Sequence, residues 1–182
     1  YLKECEDVLR GREKGRLNND NFWYRYIYPK NLTLFNNEKL IAPEISLGGN
    51  FSYDQMGQFY STTKVYGYIK KSEVKESYYF WLGLFNSQLF WYFIQQTGYI
   101  LRGGYFTFKT NYILPFPLPE TLPIDIVNEV EKLVKDILLK KKSTLKSDTL
   151  IQEKKIDNYV YQLYDLSEEE IKVIEGKQNI RS

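Results

Sequence analysis

Histidine is absent from this 182-residue sequence, and cysteine occurs once, at Cys5. Each shortage closes a class of chemistry. Without histidine the chain cannot run His-based acid–base catalysis, activate a serine or cysteine through an imidazole, or bind zinc through imidazole ligands. One cysteine allows neither a disulfide framework nor a thiolate metal cluster. Glycine-rich phosphate loops of the forms G-x-x-x-x-G-K-[ST] and G-x-G-x-x-G are missing. The pairs Gly48-Gly49 and Gly103-Gly104 are too short for either and read as turns. No catalytic residue and no metal ligand is nominated, and the chain is expected to be non-catalytic and to hold no cofactor of its own.

Neither sign of charge dominates. The 25 Lys and Arg stand against 23 Asp and Glu, a formal charge of +2, which permits a polyanionic partner without demanding one. The chain opens on Tyr1 instead of Met, so a longer parent protein is expected.

Long aliphatic runs are also lacking. The longest uncharged stretch, "YYFWLGLFNSQLFWYFI" from Tyr78 to Ile94, is too short for the roughly 20 apolar residues of a membrane span. It is mostly Phe, Tyr and Trp, and Asn86-Ser87-Gln88 interrupts it. The pattern predicts two core helices, the first over about 75–85. Asn86 or Ser87 caps the second, and Gly98 ends it. No membrane association follows. The abundance of tyrosine, 17 in all, supplies rings for a core and for a contact surface.

Around this pair the sequence changes texture. Residues 1–14 place Leu2, Cys5, Val8 and Leu9 at helical spacing. From Phe22 to about Lys71 the chain reads as short strands: "FWYRYIY", "KLIAPEIS" with Pro43 marking an edge or bulge, "FSYD", "QFYST" and "KVYGYIK". Gly103-Gly104 predicts a two-residue hairpin turn between "YIL" and "YFTF". Four of the six prolines fall between residues 115 and 123, a stiff connector. Two amphipathic helices follow, with Val127, Val130, Val134 and Ile137 on the first and Ile156, Tyr159, Val160 and Leu163 on the second. Ser167 and Glu170 form a capping box for a last helix. The expected fold is α+β: a curved or partly barrel-like, β-rich domain over 1–114 with packed helices, the connector at 115–123, and a helical spacer or docking segment over 124–182.

The chemistry that remains is binding. Basic residues lie among aromatics on the β-rich part: Arg25 and Lys30 near Trp23, Tyr24, Tyr26 and Tyr28; Lys64, Lys70 and Lys71 near Tyr66 and Tyr68; Arg102 and Lys109 around Tyr105 and Phe106. Such cations neutralise phosphates, and Arg can also pair with base edges. The candidates are therefore Arg25, Lys30, Lys64, Lys70, Lys71, Arg102, Lys109 and Tyr105, with Arg102-Gly103-Gly104 as a tip narrow enough to enter a groove. The bland alternative for each cation is a solvated face, and for Arg25 a stack on Trp23 or a neighbouring tyrosine.

The order of segments resembles the TaqI-like C-terminal specificity domain of adenine-specific DNA methyltransferases and fused restriction-modification enzymes. The likeness runs through Leu9-x-Gly-Arg12, the aromatic cluster at Trp23, "KLIAPEIS" and "NFSYDQMGQFYSTTKVYGYI". It continues through "YFWLGLFNSQLFWYF" and "GGYFTFKTNYILPFPLP" to the tail "KKIDNYVYQLYDLSEEEIKVIEG". The resemblance implies a chain that recognises duplex DNA in the cytoplasm, beside an upstream catalytic domain that binds S-adenosylmethionine and methylates a flipped adenine. The Asp/Asn-Pro-Pro-aromatic element of such catalytic domains is absent here. Asn86 and Ser87 match the family phrase and read as a helix junction. The competing readings are a protein-interaction module docking through its C-terminal helices, and a glycan-binding domain stacking sugars on exposed rings.

Overall fold

Where the backbone amides of residues 22–28 find partners decides the first part of the fold. The computed structural model describes residues 1–28, 31–60 and 64–176, in two compact units, Tyr1–Phe35 and the chain from Asn36 onward. In the first unit a 3-10 turn, Leu2–Cys5, leads into helix α1 (Glu6–Arg10) and a distorted turn, α2 (Arg12–Gly15). "FWYRYIY" is not a strand: residues 22–25 form turns. Arg12 donates to the carbonyls of Trp23 (2.9 Å) and Arg25 (3.2 Å). Arg10 donates to Asn18 and Asp20 carbonyls and lies 5.6 Å from the Trp23 ring centre. The Arg12 fork takes acceptors that a neighbouring strand would have used, and Arg10 braces the polar loop just before them.

The second unit is α+β. Its strands are β1 (Lys39–Pro43), β2 (Ile45–Ser46), β3 (Ser52–Asp54), β4 (Val65–Tyr68) and β5 (Phe106–Thr107). They form a three-stranded antiparallel sheet, β3-β1-β4, and a two-stranded one, β2-β5. Among the described residues no closed barrel is formed. Pro43 ends the central strand, where only β4 still pairs with it, opposite Val65, so its missing N–H interrupts no ladder toward β3. Of "QFYST", residues 58–60 form no strand, and 61–63 lie outside the described residues.

The aromatic run folds as two helices, α3 (Tyr78–Phe85) and α4 (Gln88–Thr97). Ser77 caps the first, accepting from the Tyr79 amide at 3.2 Å, and Ser87 caps the second, accepting from Phe90 at 3.3 Å. Gly98 ends α4. A short helix α5 (Thr110–Ile113) precedes the prolines. The tail then forms α6 (Ile124–Ser143), α7 (Leu150–Leu163) and α8 (Glu168–Gly176). Ser167 and Glu170 cap α8 reciprocally, at 2.8 and 3.4 Å. No described helix is long and apolar enough to cross a membrane.

The tail packs within the same unit as the sheet. Val127, Val130 and Val134 of α6 and Ile156, Val160 and Leu163 of α7 are buried in one core with Leu40, Phe51, Phe80, Leu84, Phe90, Phe106 and Phe108. The close approach of α6 to α3 needs Gly83, where a Cβ would stand 2.7 Å from Val130 Cγ1 and 3.1 Å from Val134 Cγ2. Gly83→Ala is expected to cost about 1–3 kcal/mol by overpacking, read from chemical denaturation. A cost near zero would show that α6 yields freely.

Two carboxylates, Asp54 buried and Asp157 half-buried, set opposite pH limits. Burial alone would raise the Asp54 pKa. The Lys39 ammonium and the amides of Phe59 and Gln58 overcome this and hold it below its ordinary value. Its stabilisation is present above the unfolded value, about 4, and is lost as pH falls through the depressed pKa. Asp157 of α7 accepts from the Gln88 amide at 2.8 Å. Burial pushes its pKa up to about 7; the Gln88 bond opposes this, and nearby Glu175 and Glu153 reinforce it. Its contribution is full at low pH and is lost as pH rises through about 7. The melting temperature should therefore be greatest between these limits. Asp157→Asn, which keeps an oxygen for Gln88, should flatten the decline on the alkaline side; an unchanged decline would assign it to another group.

Candidate nucleic-acid interface

Glu44 separates β1 from β2, and its backbone joins the two sheets. Its N–H donates to the Lys64 carbonyl (2.9 Å) and its carbonyl accepts from Phe108 N–H (2.7 Å). These bonds bring the start of β4 and the end of β5 to one corner. There the Glu44 carboxylate lies 3.5 Å from Lys64 Nζ and 3.7 Å from Lys109 Nζ. The lysine side chains are 75% and 54% exposed, so these pairs are weak and a phosphate can exchange with the carboxylate.

From this corner β5 runs back to the turn. Leu101 N–H donates to Tyr105 O at 2.7 Å and Gly104 N–H to Leu101 O at 3.1 Å, enclosing Arg102, Gly103 and Gly104. The loop thus has three residues, one more than the sequence suggested. Gly103 and Gly104 have φ of 83° and 78°, a conformation glycine adopts at low cost. Arg102 stands exposed at the tip, without an ion pair among the described residues. Tyr105 follows it, its ring beside Gly103.

The ribbon has two unlike faces. Phe106 and Phe108 are fully buried, their ring centres 5.3 and 6.3 Å from that of Trp91 on α4. On the other face, the register places Ile45 opposite Thr107, and Thr107 N–H donates to Tyr99 O on its far side. Strand alternation adds Leu47 and Tyr105 to this face. Ile45, Leu47, Tyr99 and Tyr105 are each between 43% and 60% exposed. Thr107, between Ile45 and Tyr99, is buried, and its hydroxyl has no hydrogen-bond partner.

Arg25, in the first unit, pairs with Asp20; the rings there are approached by other cations, Trp23 by Arg10 and Tyr28 by Arg16 at 4.8 Å. Lys70 is half-buried, donating to the Glu76 carbonyl at 2.5 Å and lying 5.1 Å from the Tyr78 ring centre. Its ammonium closes the 70–76 loop. Lys71 is exposed, and Lys30 lies outside the described residues. The structure therefore brings together Lys64 and Lys109, and joins them through β5 to Tyr105 and Arg102.

One element that sequence reasoning passed over is the partner of Asp54. Lys39 and Asp54 form an ion pair at 2.6 Å with side chains only 3% and 2% exposed. The same carboxylate accepts from Gln58 N–H (2.9 Å) and Phe59 N–H (3.0 Å). This fixes the loop after β3, which displays Met56, Phe59 and Tyr60 to solvent. Asp54 was visible as part of the "FSYDQMG" phrase. Lys39 gave no signal, because a lysine opening a strand reads as solvated.

A cleft of about 680 Å³ lies between the Gly49–Tyr53 segment, the α3–α4 junction and α6–α7. Its polar groups serve the fold. Asn86 bridges Phe51, accepting from its N–H at 2.9 Å and donating to its carbonyl at 3.1 Å, and Asp157 holds Gln88. The Asn-Ser phrase is thus a structural junction. No group of three or more potential metal ligands occurs among the described residues.

The family model of the TaqI-like C-terminal specificity domain matches residues 6–118. That match takes in residues of both units and ends within the proline connector, and the chain belongs to this family. No curated protein matches the chain.

Removing the Asp54 carboxylate should leave a buried ammonium uncompensated. Asp54→Ala is expected to lose about 3–5 kcal/mol of stability and to open the 55–60 loop to proteolysis. Protease resistance equal to that of the parent chain would show that the pair does not hold the loop.

Proposed function

We propose that this chain is the sequence-reading part of an N6-adenine DNA methyltransferase or a fused restriction-modification enzyme acting in the cytoplasm. Membership of the specificity-domain family over residues 6–118 is the observation that carries this reading. In this proposal the upstream catalytic domain binds S-adenosylmethionine, flips the adenine and transfers the methyl group; this chain grips the duplex and selects the site. The hairpin with Arg102 and Tyr105 and the corner with Lys64 and Lys109 carry the contacts; Arg25, Lys30 and Lys71 are further candidates, while Lys70 is occupied in closing its own loop. The cations are favoured by exposure and by the weakness of their ion pairs. The 115–123 connector and the 124–182 helices serve as spacer and docking surface.

A second reading has one observation in its favour. Leu139, Leu145, Leu150 and Ile151, at the α6–α7 turn, are all exposed, as a protein-docking surface requires. This is compatible with DNA recognition by the sheets, since the turn would then meet another domain or subunit.

Fluorescence anisotropy of the chain with random-sequence duplex DNA, from low to physiological salt, tests the proposal. Affinity should fall steeply as salt rises, because phosphate contacts release counterions. Lys109→Ala should lower the salt slope by about 1. Arg102→Ala should cost about 1–3 kcal/mol if it pairs with a base. Salt-independent binding, or none at low salt, would remove the DNA reading; equal affinity for both variants and the parent would remove the ribbon from the site.

A further inference from the structure

The outer face of the ribbon is apolar in its middle and cationic at both ends. Ile45, Leu47, Tyr99 and Tyr105 surround Thr107, while Arg102 stands at the tip and Lys109, with Lys64 beside it, at the base. The carboxylate at the base, Glu44, is paired with both lysines. The opposite face packs on α4 through Phe106 and Phe108. On the outer face Ile45, Leu47, Tyr99 and Tyr105 each keep about half of their surface exposed.

The major groove of B-DNA, about 12 Å wide, admits a two-stranded antiparallel ribbon; here that ribbon is residues 99–101 with β5, and β2 lies along its other edge. Cations at its two ends would then meet the phosphates that border the groove. Side chains in the middle would meet base edges. In the major groove the one apolar group that distinguishes a base is the thymine C5-methyl. Aliphatic side chains at Ile45 and Leu47 cannot hydrogen-bond an amine or a carbonyl, so against guanine or cytosine they would strip water from polar edges without replacing it. Against thymine they bury a methyl.

Resting on the DNA-recognition reading, we infer that the outer face of the ribbon is a specificity surface for A·T pairs, with Ile45 and Leu47 reading thymine methyl groups in the major groove. The cations position the ribbon and give no sequence preference; the apolar strip supplies it.

The test changes the DNA first. A preferred duplex is selected from a random pool with the full 182-residue chain, and each thymine in it is then replaced singly by deoxyuridine, which removes only the methyl. At least one replacement should weaken binding about fourfold, the worth of one buried methyl-sized group. That loss should vanish in the double variant Ile45→Ser, Leu47→Ser, whose melting temperature is checked against the parent. Both side chains are exposed, so the variant is expected to fold. A selected duplex without thymine, or one in which every uridine replacement is silent, overturns this inference and leaves DNA recognition standing. A uridine effect that persists in the double variant also overturns it, by moving the methyl contact elsewhere. Failure to bind any duplex at low salt overturns the DNA reading itself, and with it this inference. Unchanged DNA binding by the double variant overturns it as well.

Discussion

The buried pair between Lys39 and Asp54 is the interaction on which the sheet and its loops depend. These residues face each other across β1 and β3, so the ion pair fixes the register of the edge strand on the central one. One carboxylate also takes two amides of the following loop. Taking two charges out of water is costly, and a buried pair is weak evidence for stability as such. Its value here is specificity: a one-residue slip of β3 would turn Asp54 to the other face with the rest of the strand and leave the Lys39 ammonium buried and unpaired.

The remainder of the second unit is held by rings. Phe51 lies against Tyr68, Phe85, Phe90 and Phe108, with ring centres between 5.1 and 6.2 Å apart. Phe90 continues to Phe116 at 5.0 Å, and Phe116 to Tyr164 of the segment after α7 at 5.8 Å. Three of these contacts, Phe51 with Phe90 and Phe108 and Phe90 with Phe116, are edge-to-face and so directional, and the chain of rings orients one element on the next. Through Phe106 and Phe108 it also sets which face of the ribbon is turned outward. The binding surface is what remains when the aromatic core has taken its side.

In the first unit arginine takes the place of a ladder. Arg10 and Arg12 spend their donors on backbone carbonyls of the polar loop and the aromatic cluster. The family phrase Leu-x-Gly-Arg thus has a local physical meaning: Arg12 ties down the segment in which Trp23 is buried. A basic residue beside aromatics is as readily a structural brace as a ligand contact, and Lys70 is a second instance.

Much of this was legible in the sequence where the signal is local. Capping by Ser87 and Ser167, the stop at Gly98, and the valine seam of α6 follow from side-chain chemistry and periodicity within a few residues. So do the absence of a histidine-based site and the collinear motifs that carry the family resemblance. The turn at Gly103-Gly104 was legible too, though its loop length was not, because one residue either way changes no composition. What only the tertiary structure decided depends on partners distant in sequence. "FWYRYIY" has the composition of a strand, yet Arg12 reaches its carbonyls before any strand can. Lys39 looked solvated until Asp54, fifteen residues on, neutralised it. Lys64 and Lys109, forty-five residues apart, meet because Glu44 bonds to both of their strands. Side-chain pattern sets which face of a local element is apolar. Which of those faces the core consumes, and which is left to meet a ligand, is fixed only when the elements pack.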